Sequence, residues 1–190
     1  VTTGDAADRK IAQDVASLGG KILRVNDDGS IPADNPDRKS PIFALGVRNP
    51  QGIDWHPEKG MMFETEHGPS GFDGPGGGDE VNVIVPGGNY GWPVIHHKET
   101  REGMIAPLLE YTPAVAPGGA TFYSGKAFPA WKNNFFFGGL RGTRIQRVIL
   151  DEQDPGIVKG EEVLLMGEFG RIREVTEGPN GEIYFSTSNT

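Results

Sequence analysis

Three short apolar runs recur along this chain, and each is closed by glycine or asparagine. They occupy residues 61–68, 135–142 and 183–189, and each follows a β-like segment with its own turn, at residues 48–59, 119–126 and 171–181. The first two are followed by alternating segments that we expect to be outer strands, at residues 81–85 and 144–150. The three phenylalanines at 135–137 do not alternate with polar residues, so we expect that strand to be buried on both faces. Short strands bounded by turn residues are typical of all-β proteins. The runs start roughly 45–75 residues apart, which is longer than a strict repeat but leaves room for one small sheet per unit. The pattern favours a β-propeller over a β-sandwich, which stays open as the alternative.

Composition agrees with a chain of many turns around a core. Glycine and proline supply 29 and 15 of the 190 residues, while 36% of the sequence is hydrophobic, which argues against disorder. The formal charge of −8 disfavours nucleic acid and anionic membrane surfaces as partners. The sequence contains no cysteine and no apolar run as long as a membrane span. We therefore expect no nucleic-acid binding, no membrane insertion, no disulfides and no thiolate metal site.

The most informative stretch runs from residue 45 to residue 93, where short strands alternate with polar loops. Turn signals break it at RNPQG (48–52), at HGP (67–69) and at PGG (86–88). Residues 61–65 and 81–85, between these turns, have the composition of strands. Since binding residues usually lie in loops held by rigid strands, we expect the candidate functional residues in these turns.

These turns also carry a resemblance to a known family. RNPQG, EHGP (66–69), GGDEVN (77–82) and GGNYGWP (87–93) follow one another in the order and close spacing of the glucose/sorbosone dehydrogenase family. That family comprises the soluble aldose sugar dehydrogenases that use pyrroloquinoline quinone (PQQ) and calcium. The resemblance implies a six-bladed β-propeller. Residues 1–190 would then form one partial propeller domain of about three blades, truncated at both ends.

The resemblance assigns cofactor contacts to six positions. Arg48 and Asn49 match the family's Arg-Asn pair, and the family has a Leu-Lys or Leu-Arg pair, reaching a cofactor carboxylate, where this chain has Leu140 and Arg141. Two further arginines match a family pair with one residue between them, and this spacing on a strand turns both to the same side; they are Arg171 and Arg173. PQQ is a planar quinone with three carboxylates, which guanidinium and amide donors suit. Each arginine alone would equally fit an ordinary surface ion pair.

The same resemblance assigns two calcium sites. Gly68 and Pro69 resemble the pair whose backbone carbonyls hold the calcium that touches PQQ, and calcium accepts such carbonyls readily. Asp79 and Glu80, with Tyr90, resemble the acidic loop and aromatic turn that hold a second, structural calcium, to which Glu80 would give a carboxylate oxygen and Tyr90 a backbone carbonyl. The role of Asp79 stays open. The alternatives are a plain Gly-Pro turn and a solvated acidic loop. Residues 73–78 make the spacer longer than is usual in the family, which leaves this loop's geometry open.

No residue of this chain matches the family's catalytic base. That base is a histidine upstream of a strand ending in a TxGD pattern, which here is Thr2–Asp5, so it would precede Val1. His56, His96 and His97 are expected to be solvated, and His67 is expected beside the calcium turn. Three interpretations follow: an internal fragment of a longer enzyme, half of a propeller completed by another chain, or a non-catalytic relative.

The function implied by the resemblance is oxidation of the anomeric carbon of an aldose to a lactone. PQQ would take the hydride, and an external electron acceptor would reoxidise it. Relatives of this kind are periplasmic or secreted. The main alternative is a non-catalytic extracellular propeller that binds proteins, and the four matching arginines with the Gly-Pro turn favour the enzyme over it. A metal-dependent lactonase would need several acidic or amide ligands around one metal, which the sequence does not indicate.

Overall fold

The computed structural model describes residues 1–188, and this part of the chain consists of antiparallel β-strands, loops and two 3₁₀ turns. The 3₁₀ turns cover Arg9–Ala12 and Pro129–Trp131. No helix within residues 1–188 is long and apolar enough to cross a membrane. The prediction of an all-β protein is confirmed.

The strands form four sheets, in each of which strands that follow one another in sequence pair antiparallel. The first sheet contains β1 (Thr2–Thr3), β2 (Lys21–Leu23) and β3 (Ile42–Leu45). The second contains β4 (Pro50–Trp55), β5 (Met62–Glu66), β6 (Asp79–Ile84) and β7 (Leu109–Tyr111). The third contains β8 (Pro117–Phe122), β9 (Phe135–Gly139), β10 (Arg144–Leu150) and β11 (Val158–Leu164). The fourth contains β12 (Arg171–Glu177) and β13 (Ile183–Ser188).

The sheets contact one another mainly through their first strands, so that β4 packs on β8 and β8 packs on β12. Glycine makes this close approach possible. A Cβ atom built at Gly52 would lie 2.7 Å from the backbone nitrogen of Ala120, and one built at Gly118 would overlap the carbonyl oxygen of Arg173. Since inner strands that pack side by side, with later strands further out, are the blades of a propeller, the structure is part of a β-propeller.

Apolar side chains fill the spaces between neighbouring sheets. Phe135 and Phe137 lie between the second and third sheets with Phe63, whereas Phe136 lies between the third and fourth sheets with Tyr123. All three phenylalanines of β9 are fully buried. This confirms that the apolar run 135–137 is covered on both faces, as its lack of alternation predicted.

The outer part of each four-stranded sheet differs from the prediction. Residues 81–85 and 144–150 were predicted as outer strands, but they correspond to the third strands β6 and β10. The outermost positions belong to β7 and β11. Strand β11 was missed because its residues 158–164 carry a lysine, a glycine and two glutamates, and it is mostly exposed. Residue 189, the end of the third predicted apolar run, lies outside the described residues.

Candidate functional site

Most of the predicted site residues meet at one end of the sheets. The first strand of each sheet begins where the second strand ends: Pro50 pairs with Glu66, Pro117 with Gly139, and Arg171 with Ser188. The segments that flank these pairs therefore share one end of the propeller, and they are residues 48–49, 67–69, 140–141 and 171–173. We call this end the strand-end site.

Arg48 is buried, and each nitrogen of its guanidinium group donates one hydrogen bond within the protein. Nε donates to Asp73 at 2.8 Å, and the two Nη groups donate to the His67 carbonyl at 3.0 Å and the Ser70 hydroxyl at 2.8 Å. The guanidinium carbon also lies 5.7 Å from the ring centre of Trp92. Arg48 thus holds the loop that follows Pro69 against the strand-end site. No sequence motif indicates Asp73 as its partner.

His67 is placed between two of the predicted arginines. Its Nε2 lies 2.7 Å from the carbonyl oxygen of Pro117, so this nitrogen carries the proton and donates. Burial lowers the pKa of His67, and the positive charges of Arg48 and Arg173 lower it further. A neutral imidazole in this position ties the end of β5 to the start of β8.

The Gly68–Pro69 turn is buried and held from one side. The Gly68 amide donates to Asp79 at 2.9 Å, and the other oxygen of Asp79 accepts from the amides of Val115 at 2.7 Å and Ala116 at 2.6 Å. Asp79 therefore fixes the turn to the segment before β8, a role that the sequence left open. Within residues 1–188 neither the Gly68 nor the Pro69 carbonyl accepts a hydrogen bond. These oxygens keep their lone pairs available.

Three predicted arginines of the strand-end site make no ion pair with any residue from 1 to 188; they are Arg141, Arg171 and Arg173. Ile172 is fully buried while Arg171 is half-buried and Arg173 exposed, which fits both arginines lying on the opposite face from Ile172. The pairing of β12 with β13 shifts between Ile172 and Glu174, so the strict alternation ends at Arg173. Side chains without internal partners can bind an external anion.

Leu140 and Asn49 occupy supporting positions. Leu140 is buried, and its amide donates to the Ala116 carbonyl at 2.8 Å, which fixes the turn that presents Arg141. The Asn49 side-chain oxygen accepts from Gln51 at 3.0 Å, and Asn49 lines a cavity of about 230 Å³ together with Arg48.

Three glutamates are buried on one face of the second sheet; they are Glu64, Glu66 and Glu80. One of them, Glu66, accepts a hydrogen bond from the Arg48 amide at 3.3 Å. Glu66 pairs with Glu80 across β5 and β6, and Glu64 pairs with Asn82. Burial raises the pKa of Glu80 to about 8, and burial likewise raises the pKa of Glu64 and of Glu66 well above the usual range. One oxygen of Glu64 and the amide oxygen of Asn82 are buried without a hydrogen-bond partner within residues 1–188. Glu80 is therefore not part of a solvated loop.

Tyr90 is buried beside this acidic face. Its hydroxyl donates to the Val83 carbonyl at 2.6 Å, and its pKa is raised to about 12, chiefly by burial and also by the charge of Glu64. The backbone carbonyl of Tyr90 accepts no backbone hydrogen bond within the described residues. In residues 1–188 no group of three or more His, Cys, Asp or Glu side chains has the arrangement of a metal site.

The prediction that His56 is solvated was wrong. His56 is only 3% exposed, and its Nδ1 accepts from the amides of Glu58 at 3.2 Å and Lys59 at 3.3 Å. Its ring packs on Phe122 with 5.1 Å between ring centres, so the apolar body of the imidazole outweighs its polarity here. His96 and His97 are half-buried and contact each other through their Nδ1 atoms at 3.1 Å.

The sheets and the strand-end site define the class of this protein as a partial β-propeller with unpaired arginines at one end of its inner strands. The family model described as Glucose / Sorbosone dehydrogenase matches residues 1–190. The chain belongs to the glucose/sorbosone dehydrogenase family. This confirms the family that the four sequence blocks indicated.

Similar proteins are known in sequence and structure. The aldose sugar dehydrogenase YliI of Escherichia coli is 32% identical over 208 residues, covering 100% of this chain and 54% of its own length. A solved structure from Thermus thermophilus superposes with a TM-score of 0.88 at 43% identity, covering 100% of this chain and 56% of that one. The PQQ-bound aldose sugar dehydrogenase of Streptomyces coelicolor gives a TM-score of 0.83 at 34% identity, covering 98% and 51%. The chain spans about half the length of these relatives.

Proposed function

We propose that this chain is part of a sugar dehydrogenase that oxidises the anomeric carbon of an aldose to a lactone with PQQ and calcium. The observation that carries the proposal is the set of unpaired arginines beside the Gly68–Pro69 turn. Family membership supports an oxidoreductase acting on sugars. The PQQ-bound relative supports the choice of cofactor.

The donor chemistry of the strand-end site fits a cofactor with several carboxylates. Arg141, Arg171 and Arg173 come from two neighbouring blades, so they can approach such a molecule from different sides. Arginine binds carboxylates through two parallel hydrogen bonds, which fixes orientation as well as charge. Leu140 would hold the turn of Arg141, and Asn49 would add an amide donor. Arg48 would act by holding the adjacent loop, because every nitrogen of its guanidinium already donates to Asp73, the His67 carbonyl or Ser70.

The residues proposed to hold the two calcium ions can likewise be compared with the oxygen ligands that calcium prefers. Gly68 and Pro69 fit the first, because both residues are buried and their adjacent carbonyls accept no hydrogen bond within residues 1–188. Glu80 fits the second, with the carbonyl of Tyr90, because a cation would relieve the cost of burying three glutamates together, one of which, Glu64, has an oxygen without a hydrogen-bond partner within residues 1–188. The absence of a cluster of acidic and histidine ligands in these residues is compatible with a site of mixed carbonyl and carboxylate oxygens.

PQQ, when bound, would supply the acceptor for the hydride that leaves the anomeric carbon. The residues of this chain would bind and orient it. Neutral His67 would keep the inner strands in place, and Asp79 would hold the Gly68–Pro69 turn, since both of its oxygens accept from backbone amides. We assign no proton acceptor within residues 1–188. We further propose that the substrate is an aldose sugar and that an external electron acceptor takes the electrons. We also propose that a further chain or fragment completes the propeller and that the protein is periplasmic or secreted.

The proposal is tested by titrating the chain with PQQ in calcium and in excess chelator, followed by tryptophan fluorescence. Trp92 is buried against Arg48 and reports on the strand-end site. We expect calcium-dependent saturation. Arg171→Ala and Arg173→Ala should each weaken PQQ binding by about tenfold or more, the effect of losing a charge-assisted hydrogen bond.

Arg38→Ala is the matched control, because Arg38 is an exposed arginine in the loop that joins β2 to β3, at the end of the first sheet away from Arg48. It should leave PQQ binding unchanged. Equal losses in all three variants would show that net charge alone matters, and unchanged binding in the Arg171 and Arg173 variants would remove these residues from the site.

A further inference from the structure

A second cavity opens beside the strand-end site, on the outer side of Arg141. It has a volume of about 480 Å³ and lies between the segment Glu110–Val115 and the turn Arg141–Arg144, with Met166 at its rim. Arg144 is the first residue of β10, and no sequence motif singles it out. We call this cavity the Arg144 cavity.

The side chain of Arg144 lies over a turn that glycines keep open. A Cβ atom built at Gly142 would lie 3.2 Å from Arg144 Nε, and one built at Gly139 would lie 3.4 Å from Arg144 Cγ. The Nε–H group is buried without a hydrogen-bond partner among residues 1–188. A buried donor on a charged group is costly when it is left unpaired, so an unpaired guanidinium in a cavity indicates a missing acceptor.

Arg147 shows what a satisfied arginine on the same strand looks like. Its Nε donates to Asn134 at 2.6 Å, and its two Nη groups donate to Glu162 at 2.7 Å and to the Ala130 carbonyl at 3.1 Å. Neither Arg141 nor Arg144 has a carboxylate within 4.0 Å among the described residues. The protein therefore neutralises one arginine of β10 and leaves another facing a cavity.

The acidic groups near the cavity have other partners. Glu110 accepts from the Thr112 hydroxyl and lies 3.9 Å from Lys98 Nζ. Glu161 accepts from Tyr111 at 2.5 Å and from Gln146 at 2.8 Å. Two guanidinium groups thus face the space with one lysine-paired carboxylate, and the balance of charge is positive.

We propose that the Arg144 cavity binds a carboxylate or phosphate group, held by Arg144 and Arg141 together. Two arginines can share an anion's oxygens, and the buried Nε of Arg144 would gain its missing acceptor. The anionic group has two sources: a carboxylate of the proposed cofactor, reached across Arg141, or a separate anionic small molecule.

The first experiment measures binding of inorganic phosphate and of citrate by isothermal titration calorimetry, with chloride used to hold ionic strength constant. The chain should bind both anions, and Arg144→Gln should weaken binding about tenfold or more. Arg38→Gln removes the same charge from an exposed loop of the first sheet and should leave binding unchanged. Absence of anion binding, or equal binding by the two variants, would overturn the proposal.

Arg144→Lys guards against a folding defect in the glutamine variant. It keeps the positive charge but lacks the Nε–H donor and the planar fork, so it should bind phosphate more weakly than the original chain and better than Arg144→Gln. Binding equal to that of the original chain would show that only charge matters, which would overturn the role assigned to Nε.

A competition arm separates the two sources of the anion. If saturating PQQ and calcium abolish phosphate binding, the cavity holds a carboxylate of the cofactor; if phosphate still binds, it holds a separate anionic ligand. Either result supports the cavity as an anion site. Failure of PQQ to bind at all would count against the proposed function alone, because phosphate binding is measured without it.

Discussion

The second strands of the two four-stranded sheets, β5 and β9, are equally buried, but β9 is rich in aromatic side chains whereas β5 contains two carboxyl groups. In β9 every residue from Phe135 to Phe137 is fully buried, and aromatic rings meet on both faces. In β5 all five residues are buried as well, yet Glu64 and Glu66 point to the face next to the first sheet. The third sheet, which we call the aromatic sheet, is therefore stabilised by its own apolar contacts. The second sheet, which we call the acidic sheet, is stable only when its carboxyl groups are protonated or a cation balances their charge.

The largest expected effect lies in the aromatic sheet. Phe135 packs with ring centres 5.4 Å from Phe63 and 5.0 Å from Phe122, so Phe135→Ala removes contacts on two strands. We expect a loss of about 3–5 kcal/mol in the free energy of unfolding, the usual cost of an unfilled aromatic cavity. Urea unfolding measures it. The same loss at pH 5 and pH 8 would show that the aromatic sheet is insensitive to protonation.

In the acidic sheet, Glu64→Gln should stabilise the protein rather than destabilise it. Glutamine is nearly isosteric and neutral, so it removes the cost of burying a charge while keeping a hydrogen-bonding end. At pH 8 in chelator we expect a gain of about 1–3 kcal/mol in the free energy of unfolding, by the same principle. The matched control is Glu162→Gln on β11, at a surface ion pair with Arg147, which should change stability by less than about 1 kcal/mol. A loss of stability in Glu64→Gln would show that the carboxylate is charged and already balanced.

The pH dependence of the chain has a definite sign. Glu64, Glu66 and Glu80 have folded-state pKa values above their unfolded values, so the folded state binds more protons than the unfolded state. Their contribution is fully present below the unfolded pKa of about 4.5 and is lost as pH rises towards about 8, the folded pKa of Glu80. In chelator the midpoint of thermal unfolding should fall between pH 5 and pH 8. A midpoint that rises over this range would contradict the burial of neutral carboxyl groups.

If Glu80 and Tyr90 bind calcium, calcium should reduce the loss of stability that occurs as the pH rises. A ligand that binds only the folded state at a hundred times its dissociation constant adds about 2.7 kcal/mol to the free energy of unfolding. We expect calcium to raise the unfolding midpoint at pH 8 more than at pH 5, because protonated carboxyl groups bind the cation poorly. Magnesium at the same concentration is the control for ionic strength. An equal shift at both pH values would place the calcium away from the acidic face.

The smallest effect should come from the ion pair that joins the two sheets at the surface. Lys132 lies 2.6 Å from Glu58, and both side chains are about half exposed. Water and salt screen such a pair, so Lys132→Gln should leave the unfolding midpoint unchanged within error. A clear drop would mean that the acidic and aromatic sheets are coupled through this contact.

Particular residues explain how far the sequence could predict the structure. The run of three phenylalanines predicted a strand covered on both faces, and the glycine and proline breaks predicted where strands end. The partner of Arg48 could not be predicted, because Asp73 lies 25 residues away in an irregular loop and only the folded chain brings them together. His56 was misplaced for a similar reason: its neighbours in sequence are polar, but its ring packs on Phe122, which lies on another sheet.

The sequence named the residues of the candidate site but could not indicate their internal contacts. The resemblance identified Gly68, Pro69 and the arginines, and the structure brings their segments to one end of the sheets. It could not indicate which arginines lack an internal partner, since that depends on every acidic group nearby. Strand periodicity likewise predicted one side for Arg171 and Arg173, but the irregular pairing at Ile172 depends on the neighbouring strand β13.

The glycine contacts between inner strands have a consequence for how tolerant this protein is to change. Gly52 and Gly118 let one main chain rest directly on the next, so the distance between neighbouring blades is set by backbone atoms rather than by side-chain volume. Substitutions in the cores further out can then alter stability without altering the spacing of the residues at the strand ends. Substitutions in the core should therefore leave the geometry of the site unchanged. Substitutions of the glycines between the inner strands should alter it most.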